Sequence, residues 1–278
     1  MEGPRCPRQS PAPTARPARA RRHVVRVNLA LCFSEWSEAQ RHDLAYRHFI
    51  AFGQSVLDRA WLWHAPEAVL RARLHWQGNE QAITAPGPLV MFAPHFVGLD
   101  AGGMAVSMKL APGPAAFIFV AQSNPVVENW VRSGRERMGN ARPYFRHEGV
   151  KQIMTGLRQG EMLHLSPDMD FGPEESIFVN FMGVNAATVP SLPRFARLGR
   201  APVLTLVTRM TQHGYELTLS DAWPDFPSED VAADTLRMNR DLETAIRLSP
   251  AQYYWVHKRF KTRPEGEASV YKKAEISR

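Results

Sequence analysis

From Ala45 onward, apolar residues recur at spacings of three and four: Ala45, Phe49, Phe52, Val56, Ala60 and Trp63. That period belongs to an amphipathic α-helix. Ser37 with Gln40, in SEAQ, reads as a capping box at its start. Pro66, a favoured first helical position, predicts a second helix running through Leu70 and Leu74. Further along, the period changes. PLVMFAP, AAFIFVA, SIFVNFM and APVLTLVTR are short apolar runs of the kind that form buried strands, and shorter ones lie near Pro143–Phe145 and at Glu161–Leu165. Between them, helices are predicted up to Lys109, over Asn124–Met138, over Glu148–Arg158 and over about Thr188–Leu198. YELTLS alternates and reads as an antiparallel edge strand. Strand and helix in alternation predict an α/β fold, a single domain with a mostly parallel central sheet flanked by helices. A helical region precedes it. The expected organisation is a disordered Pro/Arg-rich tail over 1–23, then one domain over 24–278, with N-terminal helices over 24–80 and the α/β core over 81–278.

Composition is that of a globular protein, 44% apolar and 22% charged. The net charge of +7 sits unevenly. Seven arginines against Glu2 give residues 1–26 a net +6, which leaves +1 for the remainder. Two basic clusters stand out in the body: Arg132, Arg135, Arg137, Arg142 and Arg146, then His257, Lys258, Arg259, Lys261 and Arg263. Such patches on a near-neutral body suit either a localised anionic ligand or solvated helix faces. Trp61, Trp63 and Trp76 among Arg59, Arg71 and Arg73 suit either a membrane-interface surface or a core-packed aromatic cluster. Cys6 and Cys32 form no disulfide framework, which favours a reducing compartment. No apolar run approaches the roughly 18 to 20 residues that span a bilayer, and no secretory signal opens the chain, which reads as soluble or peripheral.

The nucleophile elbow, dinucleotide and P-loop motifs are missing from the sequence. Asp168 and Asp170, in DMD, lack a nearby histidine with which to hold a metal. Two histidines precede an acid by five positions: His75 with Glu80 in HWQGNE, and His95 with Asp100 in FAPHFVGLD. His75 falls in the predicted helical stretch. His95 leaves the C-terminal end of a predicted strand, where open α/β sheets place ligand crevices. Pro94 stops the strand, and Gly98 permits a tight turn into the next helix. Across that turn Asp100 is expected to reach back to the His95 ring, fixing its tautomer and leaving the other nitrogen as a general base. Without a Ser or Cys nucleophile motif, the natural task for that base is deprotonating a substrate hydroxyl for acyl transfer.

HFVGLD resembles the H-x4-D/E motif of the glycerolipid acyltransferase superfamily. RVNLALCFSEWSEAQ, NPVVENWVRSGRERMG, PDMDFGPEESIFVNFMGVNAAT and PAQYYWVHKRFKTRPEGEASVY resemble, in order, segments of the late acyltransferases of lipid A biosynthesis, the lauroyl and myristoyl transferases. The resemblance implies His95 as general base, Asp100 as its orienter and Arg135 as the cation facing the oxyanion. It implies substrate-binding or positional roles for Asp168 and Asp170, and substrate binding by Arg137, Arg146, Lys261 and Arg263. It also implies an acyl-acyl carrier protein donor, no cofactor beyond it, an anionic glycolipid acceptor and a groove that measures the acyl chain. The expected location is the cytoplasmic face of the bacterial inner membrane, peripheral or anchored. Family members generally begin with an apolar anchoring helix, in whose place this chain has the Pro/Arg tail; the expectation is a mis-assigned start rather than purely peripheral binding. A lysophospholipid or aminolipid acceptor would use the same base. A non-catalytic membrane-surface protein would also carry the basic tail and the Trp/Arg helices. No nucleic-acid motif surrounds the basic residues.

Overall fold

The structure is a computed structural model and describes residues 15–111, 113–145 and 150–272. Two long helices come first, α1 (Ala15–Cys32) and α2 (Glu38–His64). The capping box at Ser37 is present in full: the Gln40 amide donates to Ser37 Oγ at 3.2 Å, and the Ser37 amide to Gln40 Oε1 at 2.8 Å. Then follow α3 (Glu67–Arg73), β1 (Leu74–Gln77), β2 (Leu89–Phe92), α4 (Leu99–Leu110), β3 (Ala115–Phe119), α5 (Pro125–Arg135), β4 (Ala141–Phe145), α6 (Val150–Arg158) and β5 (Met162–Leu165). The chain continues through the hairpin β6 (Ile177–Phe181) and β7 (Val184–Thr188), then α7 (Ser191–Gly199), β8 (Val203–Thr211), β9 (Gly214–Leu219) and α8 (Val231–Leu248).

Seven strands form the main sheet in the order β1-β9-β8-β2-β5-β3-β4. Five run parallel, and β9 turns back antiparallel to β8, with β1 parallel to β9 at the rim. β2 lies in the middle and all four of its residues are buried. Val90 and Phe92 enter one hydrophobic core while Leu89 and Met91 enter the other, so helices cover both faces. That is why PLVMFAP reads as continuous apolar sequence rather than alternation.

Several expectations change. The tail boundary at residue 23 falls inside α1, which starts at Ala15; residues 1–14 lie outside the described residues. The sheet also reaches back across the expected boundary at 81, because β1 precedes it. His75 is therefore on a strand, paired with Glu216, and not on a helix. YELTLS pairs antiparallel as expected, but β1 covers its outer side, so it is not an edge. β7 and α8 were not anticipated. β7 is short and built of small residues, VNAAT, with no apolar run to mark it. α8 is announced by Asp230, whose Oδ1 accepts from the Ala232 and Ala233 amides at 2.9 Å each. Of the two readings for the tryptophans, Trp63 takes the packed one: it is 4% exposed and meets Trp130 edge-on at 4.5 Å.

Gly98 serves the fold by close approach, not by backbone freedom. Its φ is −83°, and a Cβ there would sit 2.6 Å from the Thr208 carbonyl oxygen of β8. The C-terminal segment then straps the loop that follows β2. Phe96 bridges Tyr253, the Val97 amide donates to Gln252 O at 2.8 Å, and the Tyr254 amide to His95 O at 2.9 Å. Asn28 of α1 holds the strap from behind, donating to the carbonyls of Trp255 and His257 at 2.8 and 2.7 Å.

Burial pushes three histidines, His48, His164 and His257, down to about 4. The unfolded chain takes up those protons near pH 6.5, whereas the folded chain takes them up only near pH 4. Folding stability is thus retained above about pH 6.5 and lost as the pH falls toward 4. Asp100 and Asp168, shifted below the usual carboxylate range, act only at still lower pH. His48 is fully buried and donates Nδ1–H to Ala251 O at 3.0 Å. We predict that His48→Gln, which can keep that bond, reduces the stability lost between pH 6.5 and 4 by up to about 3 kcal/mol. Urea denaturation across that pH range measures it.

Candidate active site

The site is assembled by strand register. β2 and β5 are parallel neighbours with Phe92 opposite Leu165. Each strand then ends in a proline-containing loop, and the third residue beyond that matched pair is His95 on one side and Asp168 on the other. Equal offsets from a matched pair bring the two residues face to face. The Asp168 carboxylate takes the His95 backbone amide on Oδ2 at 3.0 Å and the His95 ring Nδ1 on Oδ1 at 2.7 Å. An ionised carboxylate only accepts, so Nδ1 carries the proton and Nε2 is left as the basic nitrogen. Asp168 is fully buried. Burial would raise its carboxyl, but the adjacent His95 charge and its two hydrogen bonds prevail and hold it below the usual range. The His95 side chain is 21% exposed and opens into the main cavity, with the Tyr254 ring 6.1 Å away.

This corrects the expected pairing of His95 with Asp100. Asp100 sits in the first turn of α4, and its carboxylate points across to α5 and α2. Oδ1 accepts from Arg135 Nε at 3.0 Å and Nη2 at 2.8 Å, and Oδ2 from Arg59 Nε at 2.9 Å. Burial opposes ionisation there, and the two guanidinium charges reverse it, so the carboxyl stays below its usual range. The three expected catalytic residues do share one place: His95, Asp100 and Arg135 all line the same cavity.

The expected substrate-binding residues fare differently. Asp168 is the partner of His95. Asp170 is a tether: its carboxylate accepts the Thr262 amide at 2.6 Å, Thr262 Oγ1 at 2.8 Å and the Gly172 amide at 3.0 Å. Its own amide donates to His257 Nε2 at 3.0 Å, which suits a ring held neutral by burial. Arg137 is spent on the Leu62 and Ala65 carbonyls at 2.7 Å each, closing the C-terminal end of α2. Arg263 donates to Asn185 O at 2.6 Å and pairs with Glu267. Lys261 is exposed away from the cavity wall. Arg146 lies outside the described residues. The second basic cluster also turns inward at Arg259, 1% exposed, which donates to Ala187 O and Thr188 Oγ1 at 2.7 Å each. Among the described residues no three His, Cys, Asp or Glu side chains converge as a metal site.

Three further residues belong to the site: Arg59, Tyr254 and His164. Arg59 lay in a stretch dominated by helical period and tryptophans, and nothing local marks it. His164 projects from β5 into the cavity wall with its Nε2 unpartnered; burial, then the charges of Arg135 and His95, keeps it neutral. The cavity is about 800 Å³, and much of its lining is apolar, with Met104, Phe117, Val131 and Met162 among it. That volume and lining suit a flexible apolar ligand with a polar reacting end. One basic nitrogen, an arginine pair and an apolar cavity together favour proton removal beside a developing anion.

Residues 12–262 match the family described as bacterial lipid A biosynthesis acyltransferase. The lipid A biosynthesis palmitoleoyltransferase of Escherichia coli (strain K12) is 30% identical over 265 residues, covering 92% of this chain and 84% of that protein. The lauroyltransferase of the same organism is 29% identical over 258 residues (90% and 82%), and its myristoyltransferase is 31% identical over 255 residues (90% and 78%). Three relatives named for different acyl chains are thus equally similar, and overall identity does not select a chain length.

The pairing has a spectroscopic consequence. A downfield Nδ1–H proton signal from His95 should disappear in Asp168→Asn and persist in Asp100→Asn. Loss in Asp100→Asn alone would restore the original pairing.

Proposed function

Since the chain belongs to the bacterial lipid A biosynthesis acyltransferase family and is an acyltransferase, we propose that it transfers a fatty acyl chain from an acyl-carrier-protein thioester to a hydroxyl of a lipid A precursor, with His95 as general base. The observation that carries this reading is the His95–Asp168 pair, with His95 on the wall of a largely apolar cavity that Arg135 also lines. His95 Nε2 removes the proton from the acceptor hydroxyl as its oxygen attacks the thioester carbonyl carbon. Asp168 holds the Nδ1 proton and offsets the imidazolium charge. The tetrahedral oxyanion forms beside Arg135, whose fixed positive charge favours it over the neutral carbonyl. When the intermediate collapses, the C–S bond breaks, the thiolate takes the proton from His95, and an ester and a free thiol result. Neutral His164 in the wall adds no competing charge.

The acyl chain occupies the apolar part of the cavity. Burial of each methylene contributes about 0.8 kcal/mol, so the cavity selects by length. The reading also places the enzyme on the cytoplasmic face of the inner membrane. Exposed Val120, Val127, Val150 and Leu198 line the cavity where it opens, a surface suited to lipid. Among the described residues no helix is long and apolar enough to cross a membrane. Exposed Arg194 at the cavity, with Lys151 and Arg158 on α6, offers positive charge to an acidic carrier protein and a phosphorylated acceptor.

Comparing the lipid A mass spectrum with and without the gene tests the reading: one acyl chain should be missing from the deletion strain. An unchanged lipid A with a lost phospholipid or aminolipid would overturn the acceptor. In purified assays His95→Ala should lower turnover by about 10²- to 10⁴-fold, whereas His75→Ala, on the rim strand, should retain most activity. Gly103 of α4 faces the cavity, and a Cβ there meets no atom within 4 Å. Gly103→Leu should therefore shift donor preference toward shorter acyl chains by about tenfold, read as the ratio of kcat/KM for long and short donors.

A further inference from the structure

We propose that Arg59 is a positioning residue for Arg135: it dictates, through the carboxylate they share, which way the Arg135 guanidinium faces. The inference rests on the reading of Arg135 as the cation at the oxyanion. A carboxylate meeting a single arginine favours the fork geometry, with one N–H on each oxygen. Asp100 does not offer that arrangement. Both contacts from Arg135, Nε and Nη2, go to Oδ1, because Oδ2 is occupied by Arg59 Nε. With Arg59 absent, Oδ2 would be free to take the second N–H and Arg135 would rotate to meet it. Its present orientation, with Nη1 outside that contact and the side chain lining the cavity, is therefore a property of three residues rather than two.

Arg59 is itself held. Its guanidinium lies over the Trp63 ring, 5.4 Å from the centroid. Trp63 packs directly on Gly134, the residue before Arg135, where any Cβ would be driven into the indole ring. One stretch of α2 thus reaches Arg135 by two routes, through the carboxylate and through the backbone beside it. The side chains of Arg59 and Arg135 are 28% and 32% exposed, against 11% for Asp100. Two cations around one shielded carboxylate leave the wall with a net positive charge on the cavity side. Among the described residues neither guanidinium has another hydrogen-bond partner.

Arginine side-chain NMR of the full chain tests this without substrate. The Arg135 Nε–H signal is assigned by its loss in Arg135→Lys. In Arg59→Gln its solvent exchange should slow by about threefold or more, because two N–H groups crowded on one oxygen give way to the stronger fork with one N–H on each oxygen. In assays kcat should fall by about 10- to 100-fold with KM changed less than about threefold. In an Arg135→Gln background the same substitution should cost less than about threefold, because the two act as one unit. Arg59→Lys, which keeps the charge but not the Nε contact or the flat stack, should reproduce the NMR change with little loss of Tm, and it serves if Arg59→Gln misfolds. Unchanged or accelerated Arg135 exchange, losses that multiply in the double variant, or a wild-type-like Arg59→Lys would overturn the proposal. A wild-type protein inactive on every acceptor would overturn the function above, and the NMR result would still decide this inference.

Discussion

A fully buried carboxylate needs partners, and the contact between Asp168 and His95 is the one on which the site depends. Ionised Asp168 would be costly in a dry interior without compensation. It is compensated by two N–H groups of one residue, the backbone amide and ring of His95. That double contact fixes both the position and the tautomer of the imidazole. It also locks together the loops that follow β2 and β5, so the chemistry and the centre of the sheet are stabilised by the same pair. The strap from Gln252 to Tyr254 closes this arrangement from the other side.

Around that pair, charge is used mainly to finish the fold. Arg137 satisfies the end of α2, Arg259 spans to β7, and Asp170 ties its loop to Thr262 and His257. Each of these groups would be expensive if left unpaired. Arg135 and Arg59 are different. They share a single carboxylate and remain partly open to the cavity, so their charge is available to a ligand. Arg135 is thus left under-compensated at the cavity while Arg137, from the same basic run, is spent on closing α2.

The cavity joins two environments that suit the two ends of an acyl donor. Its lining combines His95, Asp100, Arg135 and Arg59 with apolar side chains from β3, β5, α4 and α5. Gly98 and Gly134 allow α4 to close on β8 and α5 to close on Trp63, which draws together the elements that carry these polar residues. Small residues at these crossings matter because helices bearing larger ones would stand farther apart.

Local pattern determined much of this protein. The three-and-four spacing with Ser37 and Gln40 specified α2, the apolar runs specified β2, β3, β5, β6 and β8, and the strand end at Pro94 singled out His95 over His75. Those signals are legible because period, caps and breakers act within a few residues. The partner of His95 was decided only in three dimensions. Asp100 is five residues away and Asp168 is 73, yet the β2–β5 register brings the distant one into contact and turns the near one toward α5 and α2. The arginines follow the same rule, since a run of basic residues does not say which carbonyl or carboxylate each will meet. Sequence spacing constrains a site only through rigid local geometry; strand register and helix crossing, set by the whole core, assign the partners.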